Sequence, residues 1–237
     1  MQFQCAVQTH VGLRRKLNED SLLDRTDIGL WAVADGMGGH EQGDRASAAI
    51  VEGLGKLAPQ PSRQALTDAA IRTLQAVNEE LYMFAKSDAT PRTIGSTVVG
   101  LAIAGGSFGC FWAGDSRAFR VRDRQIEQLT RDHSLVNDLL RAGMITEDEL
   151  ESHPSANVIT RAIGVSREIE IDCVTGHAGQ GDIFVLASDG VTRVMSSDDI
   201  MKTVLTRNPM QASEEIVRIV LERGAPDNLT VVIVRVS

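Results

Sequence analysis

Three cysteines, Cys5, Cys110 and Cys173, are all that the 237 residues contain, and they stand far apart without a C-x-x-C pair. That spacing supports neither a disulfide framework nor a zinc site, and it suits a reducing compartment. Basic side chains are in deficit: 24 Lys and Arg against 32 Asp and Glu leave a formal net charge of −8. A chain of that sign is poorly suited to nucleic acid or an anionic membrane surface, and neither is expected as a partner. Met1 to His10 has no basic stretch followed by an apolar run, so no secretory signal is read there. No repeat, low-complexity tract or Pro/Ser-rich linker divides the chain, and its length suits one layered domain. The expectation is a single cytoplasmic domain over 1–237, monomeric.

Charge is also missing from Thr93 to Gly114, a stretch long enough to be mistaken for a membrane span. Gly105-Gly106-Ser107 divides it into two short β-rich runs, which predicts a buried hairpin and no membrane insertion.

Further strand signals lie near 3–9, 28–34, 96–104, 107–113, 117–122, 168–174, 181–187 and 229–236. Ala46, Ala49, Ile50, Gly53, Leu54 and Leu57 recur at helical spacing, as do Leu66, Ala70, Leu74, Val77, Leu81 and Phe84. A second helix pair is predicted to start after Ser196-Ser197-Asp198-Asp199 and at Asn208-Pro209, with Gly224 closing the last helix. Two helix pairs separated by hairpin-linked strands predict an α+β fold, a four-layer α-β-β-α sandwich with two central antiparallel sheets. The interval 132–164 has little sheet character and short helical patterns at 134–142 and 146–151, and reads as a mobile flap beside a site.

Two apolar runs end in an Asp-Gly step, Trp31-Ala32-Val33-Ala34-Asp35-Gly36 and Phe184-Val185-Leu186-Ala187-Ser188-Asp189-Gly190. Each is expected to set a carboxylate where a buried strand meets its loop, and Asp227 stands just before the last strand. One Asp-Gly step is equally well explained as turn chemistry. Three acids at the ends of rigid strands favour a shared hard cation, since Mg²⁺ and Mn²⁺ prefer oxygen ligands. The glycines after Asp35 let a backbone carbonyl join the ligands. Arg15, in Arg15-Lys16-Leu17-Asn18-Glu19-Asp20, suits bidentate capture of phosphate, and Glu19 and Asp20 could hold metal-bound waters. The alternative for that stretch is a solvated charged turn. Gly114-Asp115-Ser116-Arg117 offers a further acid.

Arg15-x-x-Asn18-Glu19-Asp20, Asp35-Gly36-Met37-Gly38-Gly39-His40, Gly114-Asp115-Ser116-Arg117, Ser188-Asp189-Gly190 and Asp227-Asn228-Leu229-Thr230 occur in a familiar order. Over nearly its whole length the chain resembles the metal-dependent type 2C serine/threonine protein phosphatases, in their compact bacterial branch. The resemblance implies hydrolysis of phosphoserine and phosphothreonine on proteins, with Mn²⁺ or Mg²⁺ as cofactor. It implies two core ions bridged by Asp35, one helped by the Gly36 carbonyl and the other held by Asp189 and Asp227. A third ion would sit at Asp115. Arg15 matches the phosphate-binding arginine, Glu19, Asp20 and Asn228 stand behind the ligands, and 132–164 matches the variable flap with 157–164 returning. Animal members carry a histidine directly after Asp-Gly as proposed general acid. Here that position is Met37, which leaves His40 or a metal-bound water for the role. The expected partners are phosphorylated proteins, among them a Ser/Thr kinase and its substrates, in some bacterial relatives within control of secretion. The rival readings are a dedicated regulatory phosphatase of the stress-response type and a catalytically silent phosphoprotein-binding module.

Overall fold

The computed structural model describes residues 1–38, 42–87, 93–150 and 153–237. Two antiparallel sheets form the centre. One has five strands in the order β1 (Phe3–His10), β11 (Leu229–Val236), β10 (Ile183–Ala187), β7 (Arg117–Arg122) and β8 (Gln125–Gln128). The other has six: β2 (Asp20–Arg25), β3 (Leu30–Met37), β5 (Val98–Ala104), β6 (Ser107–Ala113) and β9 (Asp172–His177), with the short β4 (Gly95–Ser96) paired to the end of β3.

Alternation along each strand builds three cores. Leu30, Ala32 and Ala34 of β3 pack against Ile50 and Leu54 of α1 (Gly43–Gly55) and Leu66, Leu74 and Leu81 of α2 (Arg63–Ser87). Trp31 and Val33, on the opposite face, meet Phe184, Leu186, Val232 and Val234 of the five-stranded sheet. The other face of that sheet, with Val185, Val231 and Ile233, is covered by Ile200 of α5 (Ser197–Thr206) and Ile216 and Val220 of α6 (Pro209–Glu222). The order of layers is therefore helix, sheet, sheet, helix, as expected. Both faces of each sheet are buried, so the central strands read as unbroken apolar runs and not as alternation.

The helix boundaries follow their caps. Ser196 Oγ accepts the Asp199 N–H at the start of α5, and Asn208 Oδ1 accepts the Gln211 N–H with Pro209 in the first turn of α6. The hairpin between β5 and β6 turns through Gly105 and Gly106, both with positive φ (57° and 76°), which a right-twisted two-residue loop demands. Thr93 to Gly114 thus lies in the sandwich, and among the described residues no helix is long and apolar enough to cross a membrane.

Several expectations are corrected. Asp35 lies within β3, not at its junction with a loop, because β4 continues the pairing past it through Gly36 and Met37. Asp189 opens a short helix, α4 (Asp189–Thr192). The strand expected at 168–174 runs Asp172–His177 instead, because Ile169 and Ile171 pack onto the helix-covered core rather than pairing with β6. The strand β2, which starts at the last residue of the charged segment 15–20, and the exposed β8 were not foreseen. In 132–164, α3 (Leu135–Arg141) stands where a short helix was expected, whereas 146–151 yields only a 3₁₀ turn at Glu147–Glu149.

Candidate metal centre

The acids singled out in the sequence gather where the two sheets meet. Asp20 and Asp35 are direct partners across β2 and β3 in the six-stranded sheet. Asp189 and Asp227 come from the five-stranded side, one following β10 and the other preceding β11. The two sheets are stitched together beside them. Ser188 Oγ donates to Asp20 Oδ2 at 2.8 Å and accepts the Thr230 N–H at 2.9 Å. Asn228 Oδ1 accepts the Glu19 N–H at 2.8 Å, while its amide donates to the carbonyls of Val11 and Leu17 at 2.9 Å each. Asn228 therefore fixes the loop that carries Arg15.

Backbone packing holds Asp35 in place. Its carbonyl accepts the Thr97 N–H at 2.8 Å and Ser96 Oγ at 3.0 Å. The next residue must be glycine: a Cβ at Gly36 would come within 2.1 Å of the Gly43 carbonyl oxygen and 2.6 Å of that of Glu19. Glu19 Oε1 in turn accepts the Gly43 N–H at 3.2 Å, so it joins the start of α1 to this loop.

The electrostatics are those of a carboxylate cluster short of positive charge. Burial, followed by the charges of Asp20, Asp189 and Asp115, pushes Asp35 well above the ordinary carboxylate range. Its side-chain contact with the Asp189 carboxyl adds to this rise and pulls Asp189 the other way. Burial likewise raises Asp20 to about 7, and one of its oxygens, Oδ1, is buried without a hydrogen-bond partner. Asp115 rises to about 6, through burial and then Asp189, against the opposing pull of Arg193. Asp189 is also raised by burial, with Arg193 pulling it down. Glu19 is raised by burial as well.

Among the described residues no three acidic or thiol or imidazole side chains converge on a single point. Two arginines occupy the carboxylates instead. Arg15 Nη2 donates to Asp227 Oδ2 at 2.8 Å, and Arg193 Nη2 reaches Asp189 Oδ2 at 2.8 Å and Asp115 Oδ2 at 3.1 Å. An all-oxygen donor set, an orphaned buried carboxylate oxygen and crowded acids pushed upward by burial all fit hard divalent cations, which would relieve the repulsion. His40, the candidate acid, lies outside the described residues.

A cleft of about 580 Å³ opens beside Asp115 and Asp189, lined also by Arg117, Asp132, Asn157 and Arg193. The segment 132–164 borders it and is pinned at both ends. Arg117 grips Asp132 with Nε and Nη2, at 2.7 Å for the shortest contact. At the other end Arg161 Nη1 donates to Asp172 at 2.8 Å, with His133 Nε2 3.3 Å from the same carboxylate.

The sequence reading brought together Asp20, Asp35, Asp115, Asp189, Asp227, Arg15, Glu19 and Asn228, and all eight are in this region. It missed Arg193, whose only local signal is the i, i+4 spacing from Asp189 on a helix too short to be foreseen. It also missed Ser188 as the bridge to Asp20.

A protein-family model described as Protein phosphatase 2C matches residues 13–229. The protein phosphatase PhpP of Streptococcus pneumoniae is 34% identical over 249 residues, covering 99% of this chain and 98% of its own. Among solved structures, PppA of Pseudomonas aeruginosa, described as a key regulatory component of T6SS, is 39% identical with a TM-score of 0.91, covering 99% and 98% of the two chains. The catalytic domain of the serine/threonine protein phosphatase PstP, solved in complex with two manganese ions, is 30% identical with a TM-score of 0.87, and 99% of each chain is covered.

Proposed function

This chain belongs to the protein phosphatase 2C family and is a serine/threonine protein phosphatase of that type, and we propose that it works at a binuclear centre held by Asp35, Asp189 and Asp227. The observation that carries the proposal is the convergence of acids from the two sheets, Asp20 and Asp35 paired across β2 and β3 and Asp189 and Asp227 at the ends of β10 and β11, stitched together by the hydrogen bond from Ser188 to Asp20.

Two Mn²⁺ or Mg²⁺ ions supply, when bound, positive charge against the phosphoryl oxygens and a hydrolytic water acidified towards neutrality. The chain's own residues do the rest. Asp35, with the Gly36 carbonyl beside it, would hold the ions from the six-stranded sheet. Asp189 and Asp227 would hold them from the five-stranded side, and Asp20 and Glu19 would orient water from behind. Asp115 offers a third, weaker position. Arg15 is half exposed and spends Nη2 on Asp227, so its other N–H groups remain to hold a phosphate. His40 or water protonates the departing alkoxide. The segment 132–164 serves as the flap of a single catalytic domain spanning 1–237, and the protein acts as a cytoplasmic monomer.

The substrates are phosphoproteins, including those made by a Ser/Thr kinase that this enzyme opposes. Likeness to a T6SS regulator supports a place in the control of a secretion machine. Phosphate release from a phosphothreonine peptide tests the core of the reading. It should require added Mn²⁺ or Mg²⁺, and full activity in EDTA overturns it.

A further inference from the structure

We propose that Arg193 is a resident cation of this centre: its guanidinium occupies the gap between Asp115 and Asp189 and competes with a third divalent ion there. The inference rests on the binuclear reading above and adds to it a residue outside the motifs that suggested the family.

Arg193 caps the short helix that Asp189 begins, and its backbone N–H donates to the Asp189 carbonyl at 2.9 Å. That turn brings the side chain back over Asp189. A single nitrogen, Nη2, then bridges Asp189 Oδ2 (2.8 Å) and Asp115 Oδ2 (3.1 Å), although Asp115 belongs to the connection between β6 and β7. Both acids are largely buried, with side chains 14% and 11% exposed, while Arg193 is 40% exposed and lines the 580 Å³ cleft. The guanidinium therefore has room to leave the acids without disturbing the core.

Its charge is permanent, because a guanidinium does not lose its proton in a protein. Two consequences follow. The carboxylate oxygens that face each other across the gap are already engaged by Arg193, so an ion entering there must first break a charge-assisted hydrogen bond to Asp115 and an ion pair with Asp189. An ion that enters without displacing Arg193 meets a positive group at contact distance in a poorly solvated site, where repulsion is weakly screened. Arg193 thus supplies one positive charge at the third position and keeps a third ion weakly bound.

Calorimetric titration with Mn²⁺, with free Mn²⁺ followed by electron paramagnetic resonance, decides the matter without reference to turnover. Wild type should bind two ions tightly and a third weakly. In Arg193→Ala the third ion should bind at least tenfold tighter, with the first two unchanged. Arg193→Gln, which keeps most of the side chain's bulk, should show the same gain, while Arg193→Lys should stay close to wild type. Adding Asp115→Ala to Arg193→Ala should abolish the gained site. Third-site affinity within twofold of wild type in both neutral variants, or weaker, overturns the role of Arg193 and leaves the binuclear reading standing. A wild-type protein that binds no Mn²⁺ overturns both.

Discussion

Asp20 and Asp35 face each other directly across the antiparallel pair β2–β3, two acids at one rung of a ladder. Like charges directly opposite on a sheet are destabilising, and here burial compounds the effect. Both carboxyls are pushed upward, Asp20 to about 7. A fold that tolerates this pair keeps it for something other than stability, which is the physical case for cations at this site.

The first prediction concerns Asp35. Asp35→Asn preserves the shape of the side chain and removes the negative charge that bridges the proposed ions. Turnover should fall by roughly three orders of magnitude or more, since a lost bridge removes the means of making the nucleophile. The metal-free protein should meanwhile melt at or above the wild-type temperature, because a crowded buried acid has been neutralised. Steady-state kinetics and thermal denaturation in EDTA check both halves. Near-wild-type turnover contradicts the assignment.

Asp20 yields a pH dependence whose sign can be worked out. Its folded pKa of about 7 lies above the ordinary 3.8, so the folded state holds the proton more tightly than the unfolded chain. The associated stability is full below pH 4 and is lost as pH rises through 7. Asp20→Asn should therefore stabilise the metal-free protein at pH 8, by at most about 3–5 kcal/mol, and change little at pH 4. His133, whose pKa burial pulls down, works in the opposite direction as pH falls. It is common to both proteins and cancels in the comparison. Denaturant titrations of the two proteins in EDTA at the two pH values provide the measurement, and equal differences at both contradict it.

Much of this was legible because both faces of each sheet are covered. β5 and β10 are apolar throughout, β6 and β11 are apolar apart from Ser107, Thr230 and Arg235, and all four announce themselves. β2 does not: Asp20-Ser21-Leu22-Leu23-Asp24-Arg25 carries charge at both ends, and its buried acid is explained only by the site. β8, Gln-Ile-Glu-Gln, is an exposed edge strand held by its neighbour β7 rather than by its own preference. Asp35 and Asp189 were readable as Asp-Gly steps and Asp227 by its place before the last strand, but their company was not. Arg15 was read against its neighbours Glu19 and Asp20, whereas its partner is Asp227, 212 positions away. Arg193 was silent for the same reason, since Asp115 lies 78 positions before it.

Asp115 should separate from the core acids on mutation. It stands on the connection between the sheets, and its charged partner is Arg193, not Asp35. Asp115→Ala should retain both tight Mn²⁺ sites while activity on phosphopeptides falls by roughly tenfold or more. Loss of a tight site in the calorimetric titration reassigns Asp115 to the core.

Arg15 is proposed to grip the substrate phosphate, yet in the structure one arm of its guanidinium already holds Asp227. The pair is half exposed, so it contributes little to stability, and Arg15→Ala should leave the melting temperature nearly unchanged. Catalysis should respond differently. A hydrogen bond to a charged partner is worth about 1.5–3 kcal/mol, so kcat/KM should fall by roughly ten- to two-hundred-fold. If the grip is equal in the ground and transition states, the loss appears in KM. If it strengthens as charge gathers on the phosphoryl oxygens, kcat falls too. Lysine should rescue only in part, because a point charge replaces a two-pronged contact and cannot hold Asp227 and phosphate together. The competing view makes 14–16 a solvated charged turn, and all three residues are indeed exposed. That view predicts the same small effect for alanine at Arg14, Arg15 and Lys16. Kinetics of the three single variants at saturating Mn²⁺ and fixed ionic strength decide it: a loss confined to Arg15 places it on the phosphate, and near-wild-type values for all three remove it from the site.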